Sequence, residues 1–591
     1  MPESRSILFK KLRATAAGAA MVATALPGLL QAQANDNATT TPIKHVIIVV
    51  GENHTFDNLF GAYTPKTGQH IDNLLSKGIV NADGSPGPNF ALARQMIGQD
   101  KGRYHAETPS LGAYDVLPQP YTSGAIFEPP GLDTRFPADL PNGPYQISKF
   151  VPYNAYTGDP VHRFFQMWQD VDGGKMDKFV WVEETIGTGS DGAPPPAGGF
   201  NPMEGAISMG FYNMGTGDAP VFKSLADQYA ISDNYHQATM GGTGANFQAI
   251  VSGDAAFFTN TNLDGTAAVP FSNQIENPDP VARTNNYYTQ DGYSGGSYVN
   301  CADPSAPGIA AVMEELHKQG VDSGNCEPGH YYLVNNYGMF WNQTSSNPGT
   351  LGAGSFTLPP QSNPTIADLL TAHEVSWKYY SGDRGDDQTV FQTNVDGVPL
   401  LFHAYCGICD PLTGYSSIMQ NPSEEAKLQN YGAFLTDVQG STLPAVSFVR
   451  PFESLAGHPA DSTADLYEMF LQDLIAKVQA NPDLWASTAI IITTDEGGGY
   501  YDSGYIQALD FFGDGTRIPL IVVSPFAKQG YVDHTYNDHV SLLKFIEKNW
   551  DLPTISSRSR DNLPNPIAAG DAYRPQNGPA IGDLTNLFDF Q

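Results

Sequence analysis

Two short apolar runs, each ending in polar residues with side-chain oxygens, constrain the fold of this chain most. Residues 46–50 read Val-Ile-Ile-Val-Val and lead to a Glu-Asn pair at 52–53, while residues 489–492 read Ala-Ile-Ile-Ile and lead to an Asp-Glu pair at 495–496. Apolar runs of this length without a polar face are typical of strands that are buried on both faces of a sheet. We therefore predict an α/β fold with a mainly parallel central sheet, flanking helices and long loop-rich insertions.

The polar pairs at the ends of the two runs predict a metal site. Ligands in open α/β sheets bind beyond the carboxyl ends of the strands. If the two strands are neighbours, Glu52, Asn53, Asp495 and Glu496 converge, and carboxylates packed together repel each other unless a divalent cation lies between them. The alternative is that these residues are loop residues or helix caps. Oxygen ligands favour Ca²⁺, Mg²⁺ or Mn²⁺ and nearby histidines leave Zn²⁺ open, so we expect one divalent metal ion of unassigned identity.

A glycine-rich stretch supplies the candidate nucleophile. Gly241 and Gly242 precede Thr243, and Gly244 follows it. Glycines allow backbone N–H groups to approach an anion closely, and a helix that begins near Thr243 would add its positive N-terminal end. Thr243 is therefore the candidate nucleophile. The alternative is an ordinary glycine-rich turn in which Thr243 caps a helix.

Charge limits the partners of this chain. It has 591 residues, with 62 acidic against 30 basic residues and a formal charge of -32. Binding to a nucleic acid backbone through bulk electrostatics is excluded at this charge. An anionic substrate must meet a local positive centre, which a metal ion would supply. A hydrophobic content of 41% over this length is sufficient for a large core.

The first 34 residues are typical of a cleaved signal peptide. Basic residues between positions 10 and 13 precede an apolar stretch at 15–30, and Ala-Gln-Ala at 32–34 is an A-x-A cleavage site. The alternative is an uncleaved anchor. We expect export to the periplasm or the extracellular space, and no stable membrane insertion, because no other segment is apolar enough to cross a bilayer. Residues 35–42 then form a linker, and 43–591 form one catalytic domain with insertions around 62–160 and 255–360.

The four cysteines predict two disulfides in an exported chain. They are Cys301, Cys326, Cys406 and Cys409. Three pairings are possible, of which a local Cys406–Cys409 bridge with a separate Cys301–Cys326 bridge is the simplest. The C-x-x-C pair could instead be redox-active or bind zinc.

Two further segments have sequence patterns typical of helices. Asp159 and Pro160 are suited to begin a helix, which would place His162 in its first turn. A second helix is predicted over residues 424–439.

Several motifs, in order, give the chain a family resemblance. They are Glu52-Asn-His-Thr-Phe-Asp57, Gly457-His-Pro459, Asp495-Glu-Gly-Gly-Gly499 and Arg517-Ile-Pro519 with Ser524-Pro525. From about residue 43 to 552 the chain resembles the bacterial phosphoesterase family. That family contains phosphatidylcholine-preferring phospholipases C and acid phosphatase A, and it is similar in fold to the alkaline phosphatase superfamily.

The resemblance implies roles for individual residues. Thr243 would be the nucleophile, and His162 and His458 would contact the phosphoryl group. His330, in the stretch Gly-His-Tyr-Tyr-Leu-Val-Asn-Asn, is a further site candidate. The metal ligands implied are Glu52, Asn53, Asp495, Glu496 and Thr243.

The function expected from these residues is metal-dependent hydrolysis of a phosphate ester through a phosphothreonine intermediate. The Gly-Gly-Thr243-Gly sequence is closer to the acid phosphatase branch than to the Pro-Thr-x-Pro-Asn-Arg pattern of the phospholipases C, so a phosphomonoesterase is favoured. The first alternative is a phospholipase C that cleaves phosphatidylcholine-type phosphodiesters. The second is a secreted binding protein with the same fold and no turnover. The sequence does not indicate an oligomeric state.

Overall fold

The centre of the molecule is an eight-stranded sheet. The structure is a computed structural model, and it describes residues 35–100, 102–122, 131–185, 204–258, 270, 274–279, 296–342, 350–351, 357–385, 405–568 and 570–591. The strands in chain order are β1 (His45–Gly51), β2 (Ala230–Ser232), β3 (Trp377–Ser381), β4 (Leu428–Asn430), β5 (Val446–Arg450), β6 (Thr488–Thr494), β7 (Leu520–Val523) and β8 (Tyr531–Asp533). In space they follow the order β4-β3-β5-β1-β6-β7-β2-β8.

The sheet is mainly parallel. All of its pairings are parallel except the two that β7 makes, with β6 on one side and β2 on the other. β1 lies in the middle, between β5 and β6. The predicted α/β class with a mainly parallel sheet is therefore confirmed.

Strand β1 is buried on both faces, as its apolar run predicts. Ile47 and Val49 pack into one hydrophobic cluster, while Val46, Ile48 and Val50 pack into another on the opposite side. All five are at most 3% exposed. Because alternate side chains of a strand point to opposite faces, an unbroken apolar run is what a central strand between two helical layers requires.

The helices that cover the sheet are mostly short. The main ones are α1 (Phe56–Phe60), α2 (Phe164–Val171), α3 (Phe179–Thr185), α4 (Pro220–Gln228), α5 (Thr243–Ser252), α6 (Ile309–Lys318), α7 (Ile366–Ala372), α8 (Tyr431–Gly440), α9 (Ala464–Gln479) and α10 (Val540–Trp550). Single-turn helices occur at Ser416–Met419, Pro422–Glu425 and Pro482–Trp485. No helix within the described ranges is both long and apolar enough to span a bilayer.

The predicted start of the helix near His162 is wrong. Helix α2 begins at Phe164, so His162 lies in an irregular segment before it. A helix that began at Pro160 would need a bond from the Phe164 N–H to the Pro160 carbonyl, but His162 Nδ1 takes that carbonyl and side chains distant in sequence take the N–H groups. Glu204 Oε2 accepts from Val161 at 2.7 Å, and Asn335 Oδ1 accepts from Phe164 at 2.9 Å.

The predicted helix over 424–439 is also wrong in extent. The chain forms a single turn at Pro422–Glu425, then strand β4, and α8 begins only at Tyr431. Asn430 caps α8, because its Oδ1 accepts the N–H of Ala433 at 2.9 Å. Asparagine is a strong helix N-cap, which explains the interruption.

The two disulfides have the simplest of the three possible pairings. Cys301 bonds to Cys326, and Cys406 bonds to Cys409, with Cα–Cα separations of 5.7 and 5.3 Å. This prediction is confirmed. The predicted signal peptide, residues 1–34, lies outside the described residues. Gln33–Gln591 form one compact unit.

The buried guanidinium of Arg517 ties together the segments behind the carboxyl end of β1. It pairs with Asp502 through Nε at 2.9 Å and with Asp57 of α1 through Nη2 at 3.2 Å. It also donates to the carbonyl oxygen of Asp233 at 2.9 Å. A bidentate buried arginine of this kind fixes the relative positions of three chain segments.

Candidate active site

The two polar pairs predicted from the sequence lie side by side. β1 and β6 are neighbouring parallel strands whose last residues, Gly51 and Thr494, are paired in register. Glu52 and Asn53 follow one strand, and Asp495 and Glu496 follow the other. The backbone N–H of Asn53 donates to Asp495 Oδ1 at 3.3 Å, which joins the two segments directly.

The side chains at this edge are buried and incompletely hydrogen-bonded. Among the described residues, Asn53 Oδ1 and Nδ2, Asp495 Oδ2 and Glu496 Oε2 have no hydrogen-bond partner. Asn53 also has a positive φ of 60°, a strained backbone that non-glycine residues adopt mainly where the surroundings enforce it. Gly498 is required beside it, since a Cβ there would lie 2.7 Å from Asn53 Cβ. Buried oxygens without donors are what a bound cation would satisfy, so these residues fit a divalent metal.

The electrostatics of the carboxylates point in the same direction. Burial, followed by the charge of Glu52, raises the pKa of Asp495 to about 8. Burial and the neighbouring Asp495 raise the pKa of Glu496 well above its ordinary value. Both acids therefore bind protons unusually tightly, because no nearby positive charge fully offsets them. A cation at this position would restore their ionised form.

Glu52 has a cationic partner that the sequence analysis missed. The Arg450 guanidinium, at the end of β5, donates to Glu52 Oε1 and also pairs with Glu453 at 2.6 Å. Cys409 Sγ contacts the same Glu52 oxygen at 2.9 Å. The available signal was that Arg450, like Glu52, comes at the end of a buried run, and β5 lies next to β1.

Thr243 is the first residue of α5, as predicted. Its Oγ1 donates to Glu496 Oε1 at 3.4 Å, and the residue is only 4% exposed. The flanking glycines have a packing role: a Cβ on Gly241 would lie 1.8 Å from the carbonyl oxygen of Val334. The N–H of Gly244 is used by Asn336 Oδ1 at 2.7 Å and is not free for an anion, which corrects the expected role of this glycine.

His162 and His458 face each other beside this cluster. Their ring centroids are 6.0 Å apart, and His162 Nε2 lies 3.8 Å from Glu496 Oε1. His162 Nδ1 donates to the Pro160 carbonyl at 2.8 Å, so Nε2 is the basic nitrogen of its neutral form. Burial alone lowers the pKa of His458, but the carboxylates around it, beginning with Asp159, raise it to about 10. His458 therefore carries a proton at neutral pH.

His330 does not join the cluster. Its ring packs against Phe257 at 4.6 Å and Tyr332 at 5.9 Å between centroids, and Nδ1 lies 3.9 Å from Glu327. Within the described part of the chain, none of its recorded contacts is with Thr243 or the carboxylates. The same sequence motif does reach the site through Asn336, six residues later.

Among the described residues, two groups of side chains that could bind a metal ion each have one ligand atom per residue within 4.8 Å of the others. One is Asp159, His162 and His458, and the other is Glu52, Cys406, Cys409 and Glu453. Neither contains Asp495 or Glu496, whose partners are Thr243, His162 and backbone amides. The cysteines are joined in a disulfide, so in this state they are not ligands.

Comparison with known proteins identifies the family. The model of the Phosphoesterase family matches residues 43–553. The chain is 24% identical to the non-hemolytic phospholipase C of Burkholderia pseudomallei over 98% of this chain and 64% of that protein, so it spans less than two thirds of that relative. It is 22% identical to phospholipase C B of Mycobacterium tuberculosis, over 93% of this chain and 78% of that protein.

Two further likenesses are partial. A probable acid phosphatase of Kluyveromyces lactis is 26% identical over 35% of this chain and 46% of that protein. A solved structure of an alkaline phosphatase superfamily protein from Vibrio parahaemolyticus covers 56% of this chain and 59% of its own, at 12% identity. Its TM-score of 0.23 is too low to support any argument about the fold.

Proposed function

The chain belongs to the Phosphoesterase family, and on this basis we propose that it is a metal-dependent hydrolase of phosphate esters with Thr243 as its nucleophile. The observation that carries the proposal is the position of Thr243 Oγ1. It lies at the N-terminus of α5 and 3.4 Å from Glu496, beside buried carboxylates and the neighbouring rings of His162 and His458. A nucleophile, acid–base groups and a cluster of cation ligands in one place are the parts that such a reaction needs.

The residues that would hold the cation are Glu52, Asn53, Asp495, Glu496 and Thr243. The unpartnered buried oxygens of Asn53, Asp495 and Glu496 support this assignment. A divalent cation bound there lowers the pKa of the threonine hydroxyl and offsets negative charge on the phosphoryl oxygens. Arg450 pairs with Glu52 Oε1 and so restricts the position of this carboxylate.

The histidines divide the proton transfers between them. Thr243 Oγ1 gives its proton to Glu496 Oε1, the acceptor of its hydrogen bond, and attacks phosphorus. The ester oxygen leaves and takes a proton from His458, whose pKa is raised to about 10. The product is phosphothreonine and a free alcohol. His162 Nε2 then takes a proton from water, which attacks the phosphothreonine. Glu496 returns its proton to Thr243 Oγ1 as phosphate is released.

The substrate class we propose is a soluble phosphomonoester. The formal charge of -32 opposes sustained work at an anionic lipid surface. Phospholipase C activity on phosphatidylcholine is the second candidate, and it is favoured by the relatives that align over more than nine tenths of this chain. The same catalytic residues would serve either reaction.

A substrate panel tests both the metal-dependent hydrolysis and the proposed substrate class. Purified protein is assayed on para-nitrophenyl phosphate and on phosphatidylcholine in mixed micelles, before and after treatment with a chelator and after return of Mg²⁺, Mn²⁺, Zn²⁺ or Ca²⁺. We expect higher kcat/KM on the monoester, loss with the chelator and recovery with one of the metals. Higher kcat/KM on phosphatidylcholine would establish the second candidate. Absence of hydrolysis in metal-loaded protein would favour the binding-protein alternative.

A further inference from the structure

The Cys406–Cys409 disulfide lies directly against two buried or half-buried carboxylates. Cys409 Sγ is 2.9 Å from Glu52 Oε1, and the ligand atoms of Cys406, Cys409, Glu52 and Glu453 all lie within 4.8 Å of one another. A disulfide sulfur has no proton to donate, so the contact with Glu52 is not a hydrogen bond. The C-x-x-C motif therefore places its two sulfurs next to two carboxylate groups.

We propose that the reduced form of these two cysteines, together with Glu52 and Glu453, is a zinc-binding site. Thiolate and carboxylate are both zinc ligands, and the C-x-x-C spacing is a common one for two thiolates on one zinc ion. Zinc–sulfur bonds are about 2.3 Å and zinc–oxygen bonds about 2.0–2.2 Å, so two ligands of one ion are at most about 4.6 Å apart. The four groups are already close to that limit, and only small side-chain shifts are needed.

Charge balance favours the exchange of a disulfide for a zinc dithiolate. In the oxidised protein the Arg450 guanidinium lies between the carboxylates of Glu52 and Glu453. Reduction followed by loss of two thiol protons adds two negative charges, and Zn²⁺ supplies two positive ones. The net charge of the cluster is then the same as in the oxidised form. Glu52 Oε1, which is held by Arg450, is the oxygen that lies beside Cys409 Sγ and would meet the metal.

An external dithiol can supply the two electrons that reduce the disulfide. One thiolate of the dithiol attacks Cys406, which is half-buried, and the Cys409 thiolate leaves. The second thiol of the reagent then releases Cys406 and closes the cyclic disulfide of the reagent. Two electrons pass to the protein, which gains two protons on sulfur and gives them up again when zinc binds.

The site shares Glu52 with the catalytic cluster. If Glu52 acts in phosphate ester hydrolysis as proposed above, zinc in the thiolate site would withdraw it and lower the turnover. This consequence rests on the proposed function, whereas zinc binding by the reduced protein does not. The two are separated by a measurement that involves no substrate.

Cobalt spectroscopy tests the site, because Co²⁺ replaces zinc and absorbs in the near ultraviolet only when thiolate is bound to it. The full chain is treated with a water-soluble phosphine, which with water converts the disulfide to two thiols and becomes a phosphine oxide, and Co²⁺ is then added. We expect the thiolate band in the reduced protein and not in the oxidised protein. The band should reach its full intensity at one Co²⁺ per chain and should disappear when Zn²⁺ is added.

Variants assign the band to this pair. Cys409→Ser should abolish it, while the double substitution Cys301→Ser with Cys326→Ser should leave it unchanged, because that disulfide is not part of the group. Absence of the band in the reduced wild type, or its persistence in Cys409→Ser, would overturn the proposal. The comparison of oxidised with reduced wild type does not depend on the folding of any variant.

Discussion

Replacing Thr243 with alanine should separate folding from catalysis. The side chain is 4% exposed, and its recorded hydrogen bond, to Glu496 Oε1, is long at 3.4 Å. Loss of one buried methyl group costs about 0.8 kcal/mol, and loss of a weak hydrogen bond costs about 0.5–1 kcal/mol. Alanine is also well tolerated in a helix. The free energy of unfolding should therefore fall by only about 1–2 kcal/mol.

Catalysis should fall far more. Removal of a nucleophile usually costs at least about 10³-fold in turnover, which corresponds to about 4 kcal/mol of activation free energy. Thr243→Ser keeps the hydroxyl and removes only the methyl group, so it should remain within about tenfold of the wild type. The serine variant is the matched control, because it loses the same buried methyl group as the alanine variant.

The assay combines rate, stability and covalent labelling. Initial rates on para-nitrophenyl phosphate are compared with thermal and urea unfolding of the three proteins. Acid quenching during turnover, followed by mass spectrometry, should find one phosphoryl group on the peptide that contains residue 243 in the wild type. A folded alanine variant with a rate within tenfold of the wild type would refute the assignment of Thr243.

Three further predictions follow from single side chains. Asp495→Asn removes a negative charge from the proposed cation ligands. Elemental analysis should therefore find less bound divalent metal than in the wild type, and activity should fall in parallel. Full metal occupancy in this variant would show that the cation binds elsewhere. The pKa of His458 is raised from 6.5 to about 10. Protonated His458 therefore stabilises the folded protein fully below pH 6.5, and this contribution is lost as the pH rises through about 10. The pH–rate profile should fall above that pH, and His458→Gln should slow the reaction and lose this limb, whereas His330→Ala should retain the wild-type profile. Arg517→Met leaves two buried carboxylates unpaired and should cost about 3–5 kcal/mol in urea unfolding; a change below 1 kcal/mol would contradict the structural role given to Arg517.

The sequence by itself determined the layout of the sheet centre and one side of the candidate site. A short apolar run without a polar face is typical of a strand that is buried on both faces of a sheet. The strands β1 and β6 could therefore be predicted from the residue types and the lengths of the two runs. Since parallel strands end at the same edge, the polar pairs after them had to meet if the strands were neighbours. The helix that begins at Thr243 was also local in origin, because glycine before a helical segment marks its start.

The tertiary structure alone decided which distant residues complete the site. Arg450 reaches Glu52 across almost four hundred residues, and Asn336, not His330, approaches the helix of Thr243. Helix α2 starts only at Phe164 because the N–H of that residue bonds to Asn335, from a distant segment, and not to the Pro160 carbonyl. The Cys406–Cys409 pair was visible in the sequence, but its contact with Glu52 was not. Local patterns fix which backbone a segment adopts, whereas a buried charge or N–H group is satisfied by whichever partner the packing of the whole chain brings within hydrogen-bonding distance.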